Sequence, residues 1–72
     1  MGAADDEREF SDFVAHRQRA LLRTAYLLTG DQHTAEDLLQ AALTRTFLAW
    51  GRIDDLNAAE AYVRTTLTRT YI

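Results

Sequence analysis

Residues 29–50 read TGDQHTAEDLLQAALTRTFLAW, and this stretch decides the fold. Gly30 breaks the chain, Asp31 follows as a helix-capping residue, and about five helical turns then pass without Gly or Pro. Leu38, Leu39, Ala42, Leu43, Thr46, Phe47 and Trp50 recur at i, i+3, i+4 and i+7, the spacing that gathers side chains on one face of an α-helix. Thr34 is a competing cap, with Asp37 three residues on in the spacing of a capping box. Glu36 and Asp37 fall near the first turn, where the helix dipole favours acids.

Working back from that helix, Phe10–Leu28 reads as another, with Phe10, Phe13, Val14, Leu21, Ala25 and Leu28 near one stripe. Ser11 or the pair Asp5 and Asp6 would cap it. Residues 1–9, MGAADDERE, read as a flexible acidic lead-in. His16, Arg17, Gln18, Arg19 and Arg23 make a polar patch whose plain reading is a solvated face. Gly30 suits the left-handed residue that closes a helix, and so short a connection makes the two helices antiparallel neighbours.

Working forward, residues 51–56, GRIDDL, break the pattern. Ile53 and Leu56 read as anchors under the bundle, with Asp54 and Asp55 in water. Asn57 reads as the cap of a third helix, with Glu60 at the reciprocal capping-box position and Ala59, Tyr62, Val63, Thr66, Leu67 and Thr70 facing inward. The expectation is an all-α, compact three-helix bundle with helices over about 10–28, 31–50 and 57–71.

Composition agrees. The 72 residues contain no Pro and three Gly, and 47% are hydrophobic, too many for a disordered chain. A domain this short buries only about 60% of its unfolded surface, so its core is thin. There is no Cys to form disulfides or thiolate metal sites, and no apolar run approaches the ~20 residues of a membrane span. The acidic start does not read as a signal peptide, which suits a cytoplasmic protein.

Catalytic patterns are missing. His16 and His33 lie on separate segments, no Gly-rich phosphate loop occurs, and Glu36 and Asp37 are adjacent, so they point apart on a helix. The chain reads as no enzyme, with no metal site and no cofactor. Binding is the better reading. Asp37, Gln40, Thr44 and Arg45 offer acid, amide and guanidinium groups beside the apolar stripe, while Tyr62, Arg64, Arg69 and Tyr71 mix aromatics with cations, as suits unpaired bases and phosphates. A solvated face is the plain alternative for both groups. The net charge is −3: eight acids against four arginines in residues 1–39, and three acids against four arginines in residues 40–72. All the basic residues are Arg, and the chain lacks the basic field of an autonomous DNA binder.

These segments together resemble region two of bacterial sigma factors, closest to the extracytoplasmic-function group in its actinobacterial style. The likeness rests on FSDFVAHRQRALLRTAYLLTGDQHTAEDLLQAALTRTFLAWGRI followed by AYVRTTLTRTYI, in that order and spacing, and covers nearly all the chain from Phe10. It implies a transcription initiation domain that docks on the β′ clamp coiled coil of core RNA polymerase and captures the melted minus-ten element of promoter DNA. It implies a polymerase-binding set of Asp37, Gln40, Arg45 and Phe47, with Ala41 where the family commonly has Glu. It implies a DNA-binding set of Arg52, Asn57, Arg64, Thr68, Arg69 and Tyr71, with Arg69 where many relatives carry Asn. It further implies an anti-sigma partner and no membrane, and the region-four DNA-binding domain is absent from these residues. The reading from another class is a helical protein-interaction module with no DNA role.

Overall fold

The computed structural model describes residues 3–71. Three helices follow in order: α1 over Ala3–Thr29, α2 over Gln32–Leu48 and α3 over Leu56–Tyr71, with a short 3-10 turn at Trp50–Arg52. At 27 residues, α1 is ~40 Å long by its rise per residue and sets the 39 Å long axis of the molecule.

The junction at Gly30 forms as read. Gly30 has φ +72° and its N–H reaches the Tyr26 carbonyl at 2.7 Å, closing α1. Asp31 wins the capping competition: its Oδ2 accepts from both the N–H and the hydroxyl of Thr34, each at 2.8 Å. The backbone hydrogen bond from Thr34 is the main cause holding the Asp31 carboxyl below its ordinary value.

Three boundaries differ from expectation for reasons of capping and turn chemistry. α1 begins at Ala3, so the residues expected as a lead-in are helical wherever they are described; Met1 and Gly2 lie outside the described residues. The physical reason is the acids themselves. Asp5 and Asp6 occupy the first turn, where the dipole favours them, and Arg8 pairs with Asp5 at 2.7 Å. This start displaces Ser11, Asp5 and Asp6 as caps. α2 stops at Leu48, and the chain tightens into the 3-10 turn, with Arg52 N–H on the Ala49 carbonyl at 2.9 Å. α3 starts at Leu56 because Asp55, not Asn57, caps it, accepting from the Ala58 N–H at 2.7 Å. Leu56, expected under the bundle, is thereby 51% exposed, while Ile53 does pack on the core.

The core takes Phe13, Leu21 and Ala25 from α1, six residues of α2 from Ala35 to Thr46, and Ala59, Val63 and Leu67 from α3. Buried alanines on all three helices let the backbones approach closely. Buried Thr46 donates its hydroxyl to the Ala42 carbonyl at 2.8 Å. At the end where α2 finishes, Phe10 packs tilted against Phe47 and edge-to-face against Trp50 with ring centroids 5.0 and 5.2 Å apart, and Phe13 closes the cluster. Among the described residues, no helix is long and apolar enough to cross a membrane.

The buried line of α1 runs at four-residue steps, Phe13–Leu21–Ala25, and Arg17 fills the missing step. Leu28 leaves that line and is exposed, contrary to the expected stripe. Arg17 reaches across to Glu60 of α3, whose other oxygen accepts from Arg64 Nε at 3.2 Å. Arg64 Nη1 in turn donates to Thr24 Oγ1 at 2.6 Å, returning to α1. This chain of polar contacts replaces the expected capping role of Glu60 and removes Arg17 from the solvated patch.

The hydrogen bond from Arg17 is the main cause holding the Glu60 carboxyl below its ordinary 4.5; partial burial opposes it, and Arg64 adds to the lowering. A carboxylate with a lowered folded-state pKa contributes stability above its unfolded pKa and loses that contribution as pH falls. Glu60→Gln should therefore cost ~1 kcal/mol at pH 7, a fall in Tm of about 4–8 °C. The gap to the parent chain should narrow below about pH 4.5 in thermal melts followed by circular dichroism. A gap that is constant from pH 7 to pH 3 would contradict the ionic account.

Candidate binding surfaces

The outward face of α2 carries Asp37, Gln40, Ala41, Thr44, Arg45 and Leu48, all exposed. Successive residues advance by about 100°, which puts Asp37, Thr44 and Leu48 along its centre, Gln40 and Phe47 on one flank, and Ala41 and Arg45 on the other. The structure thus brings the expected set of Asp37, Gln40, Arg45 and Phe47 onto one face but divides it. Gln40 and Phe47 border a groove against Phe10, Val14 and Gln18 of α1. Arg45 leans over the opposite groove, against α3. Phe47 is half committed, since its ring packs at a tilt against Phe10 and 37% of the residue is exposed.

Sequence reasoning missed Leu48, which is 79% exposed in the middle of this face. The signal was present. Leu48 lies about 100° beyond Phe47 and about 140° from the buried stripe of Ala35, Ala42 and Thr46. Phe47 takes the aromatic contact, so Leu48 is left outside.

The groove between α2 and α3 is lined by Arg45 from α2 and by Tyr62, Thr65, Thr66 and Arg69 from α3. Tyr62, expected on the inward face, is 37% exposed here, and Thr70 is exposed as well. Ala59, Val63 and Leu67 supply the buried edge of α3. They are spaced by four, which turns Tyr62 and Arg69 toward α2 instead. Tyr62 and Arg69 lie seven residues apart, or ~10 Å along the helix. Among the described residues the ion pairs are Arg8–Asp5, Arg17–Glu60 and Arg64–Glu60, and neither Arg45 nor Arg69 belongs to one.

The remaining members of the expected DNA-binding set are not gathered there. Arg64 is turned to the α1 side by Glu60 and Thr24, and helical periodicity puts Tyr71 on that same flank. The Thr68 hydroxyl is turned back to the Arg64 carbonyl at 3.1 Å. Arg52, in the 3-10 turn, and Asn57, in the first turn of α3, are exposed at the opposite end of that helix from Arg69. The arrangement therefore offers an exposed polar face on α2 and, beside it, a groove combining one exposed aromatic ring with two guanidinium groups outside any ion pair.

Comparison with known proteins gives these surfaces a context. Residues 13–72 match the family described as Sigma-70 region 2. The RNA polymerase sigma-E factors of Streptomyces coelicolor and Streptomyces avermitilis are each 47% identical to the chain over 62 residues, covering 86% of it and 35% of the relative. The corresponding factor of Streptomyces antibioticus is also 47% identical over 62 residues, covering 34% of its length. The chain spans about a third of the length of these curated relatives. No solved structure matches it.

The division of α3 into a buried edge and a groove edge has a direct test. Tyr62→Ser should change stability by no more than about 0.5 kcal/mol, as exposed substitutions do. Leu67→Ala, at a fully buried position, should cost about 2–5 kcal/mol. Chemical denaturation of both variants measures the contrast, and comparable losses would mean that Tyr62 packs inside.

Proposed function

The chain belongs to the sigma-70 region 2 family, in its extracytoplasmic-function type, and from that premise we propose that it docks on core RNA polymerase and captures promoter DNA during transcription initiation. The observation that carries this reading is the pair of adjoining surfaces: an exposed face on α2 and a cation-flanked groove between α2 and α3.

The α2 face is the polymerase side. Asp37 and Gln40 offer an acid and an amide at its centre and flank, and Leu48 gives it an apolar contact. A coiled coil such as the β′ clamp helices presents ridges that can lie along such a face. The groove is the promoter side. Unpaired bases of the minus-ten element stack on Tyr62, while Arg45 and Arg69 meet backbone phosphates. Arg45 therefore moves from the polymerase set to the DNA set, and Tyr62 joins it. Arg64 acts at one remove, as a positioning residue that fixes the rotation of α3. A net charge of −3 gives the chain little affinity for duplex DNA by itself, so the polymerase supplies the local concentration. The setting is the cytoplasm, catalysis belongs to the polymerase, and an anti-sigma protein is the expected regulator.

Asp37→Ala with Gln40→Ala should weaken association with core polymerase at least tenfold, a loss of ~1.4 kcal/mol, while far-UV circular dichroism is unchanged. Association that survives these changes intact would remove α2 from the docking role. It would favour the alternative of a helical interaction module without a DNA role.

Arg45→Glu with Arg69→Glu should leave polymerase association in place. It should reduce retention of a single-stranded minus-ten oligonucleotide by the assembled holoenzyme at least tenfold. Undiminished retention would place DNA elsewhere on the chain.

A further inference from the structure

The outward side of α1, facing away from the core, carries one line of charge. Glu9, Asp12, His16, Arg19 and Arg23 recur along it at steps of three and four, and all five are exposed. Glu9, Asp12, Arg19 and Arg23 are in no ion pair among the described residues. His16 spends Nδ1 on the Asp12 carbonyl at 2.7 Å. The signs along the line are segregated. Glu9 and Asp12 are like charges three apart, and Arg19 and Arg23 are like charges four apart, so each pair is mildly repulsive within the helix. A solvated helix is better served by opposite signs at such spacings, as Asp5 and Arg8 supply. The helix dipole does not account for the two blocks, because its influence fades beyond the first and last turns and all four residues lie further in.

The blocks are arranged symmetrically. Glu9 stands seven residues before His16 and Arg23 seven after it, while Asp12 stands four before and Arg19 three after. At about 100° per residue, Glu9 and Arg23 fall within ~40° of each other around the helix, and Asp12 and Arg19 within ~20°. A two-fold axis beside His16 therefore sets the acids of one α1 against the arginines of another at matching height and lateral offset. We propose that α1 pairs antiparallel with α1 of a second copy of this chain. Glu9 meets the partner's Arg23 and Asp12 meets the partner's Arg19, each contact occurring twice across the axis. The contact is made of exposed charges along one helix face, so the dimer is weak, concentration-dependent and sensitive to salt. The proposal goes beyond the promoter reading and does not rest on it. The exposed face of α2 and the groove between α2 and α3 lie on other sides of the bundle and stay open.

Sedimentation equilibrium of the 72-residue chain in low salt reads the mass directly. The mass should climb from 8.2 kDa toward twice that value as the protein is concentrated, and return to the monomer in high salt. Glu9→Arg should weaken the dimer at least tenfold. Adding Arg23→Glu to the same chain reverses both members of that contact and should restore association to within about threefold of the parent. Adding Arg19→Glu instead gives a chain of the same composition and net charge whose contacts are all mismatched, and it should stay monomeric. Circular dichroism checks that each variant keeps its helicity, and Arg23→Gln, which should weaken the dimer severalfold, carries the test if a charge reversal unfolds the chain. A parent chain that stays monomeric at every concentration in low salt, association that high salt leaves intact, or rescue by Arg19→Glu equal to that by Arg23→Glu would each overturn the proposal.

Discussion

One shared carboxylate governs how α3 sits. Its apolar hold on the bundle is small: Ala59, Val63 and Leu67 are its buried residues. Three side chains at four-residue spacing seat a helix but leave it room to roll about its axis. Glu60 removes that room, because Arg17 comes to it from α1 while Arg64 couples it to Thr24 one turn and more further along the same helix. The contact is partly exposed, so its energy is modest. Its value lies in direction. With Glu60 facing α1, Tyr62 and Arg69 must face α2, and the groove with Arg45 exists as a consequence.

The arginines thereby fall into two kinds. Arg8, Arg17 and Arg64 are held in ion pairs, the last two between helices, and Arg19, Arg23, Arg45, Arg52 and Arg69 are in none, with Arg45 and Arg69 beside the exposed Tyr62. This division is why a chain of net negative charge can still offer a local cationic groove. The acids are sorted as well. Several stand at the α1 start and the α2–α3 junction, so the molecule presents surfaces of opposite sign rather than a uniform field.

Much of the fold was legible because it rests on local chemistry. Gly30 and Asp31 have roles that follow from φ > 0 and from side-chain capping, and the apolar spacing of α2 needed no tertiary knowledge. The misses have a common cause. Asp55 and Asn57 are both good caps two residues apart, and only the three-dimensional exit from the 3-10 turn decides between them. Acids at Asp5 and Asp6 look like a disordered tail until a helix dipole is present to favour them. Arg17 read as a solvated charge, Glu60 as a cap and Arg64 as a DNA contact because Arg17–Glu60 spans 43 residues of sequence and Arg64–Thr24 spans 40, distances over which periodicity carries no information. The binding surfaces inherited these errors. The α2 face was read correctly as a face, while the α3 set mixed residues from two flanks.

The span between Arg17 and Glu60 also carries a consequence in time. α1 and α2 are joined by a two-residue turn, so their contacts close short loops and form at little entropic cost. α3 must return across the whole α2 hairpin before its polar contacts can form, and in synthesis it is made after both of its partner helices. The face of α2 is therefore complete before the groove beside it. A nascent chain meets any partner of α2 while still lacking its α3 wall, and the order in which its surfaces mature is written into the order of its helices.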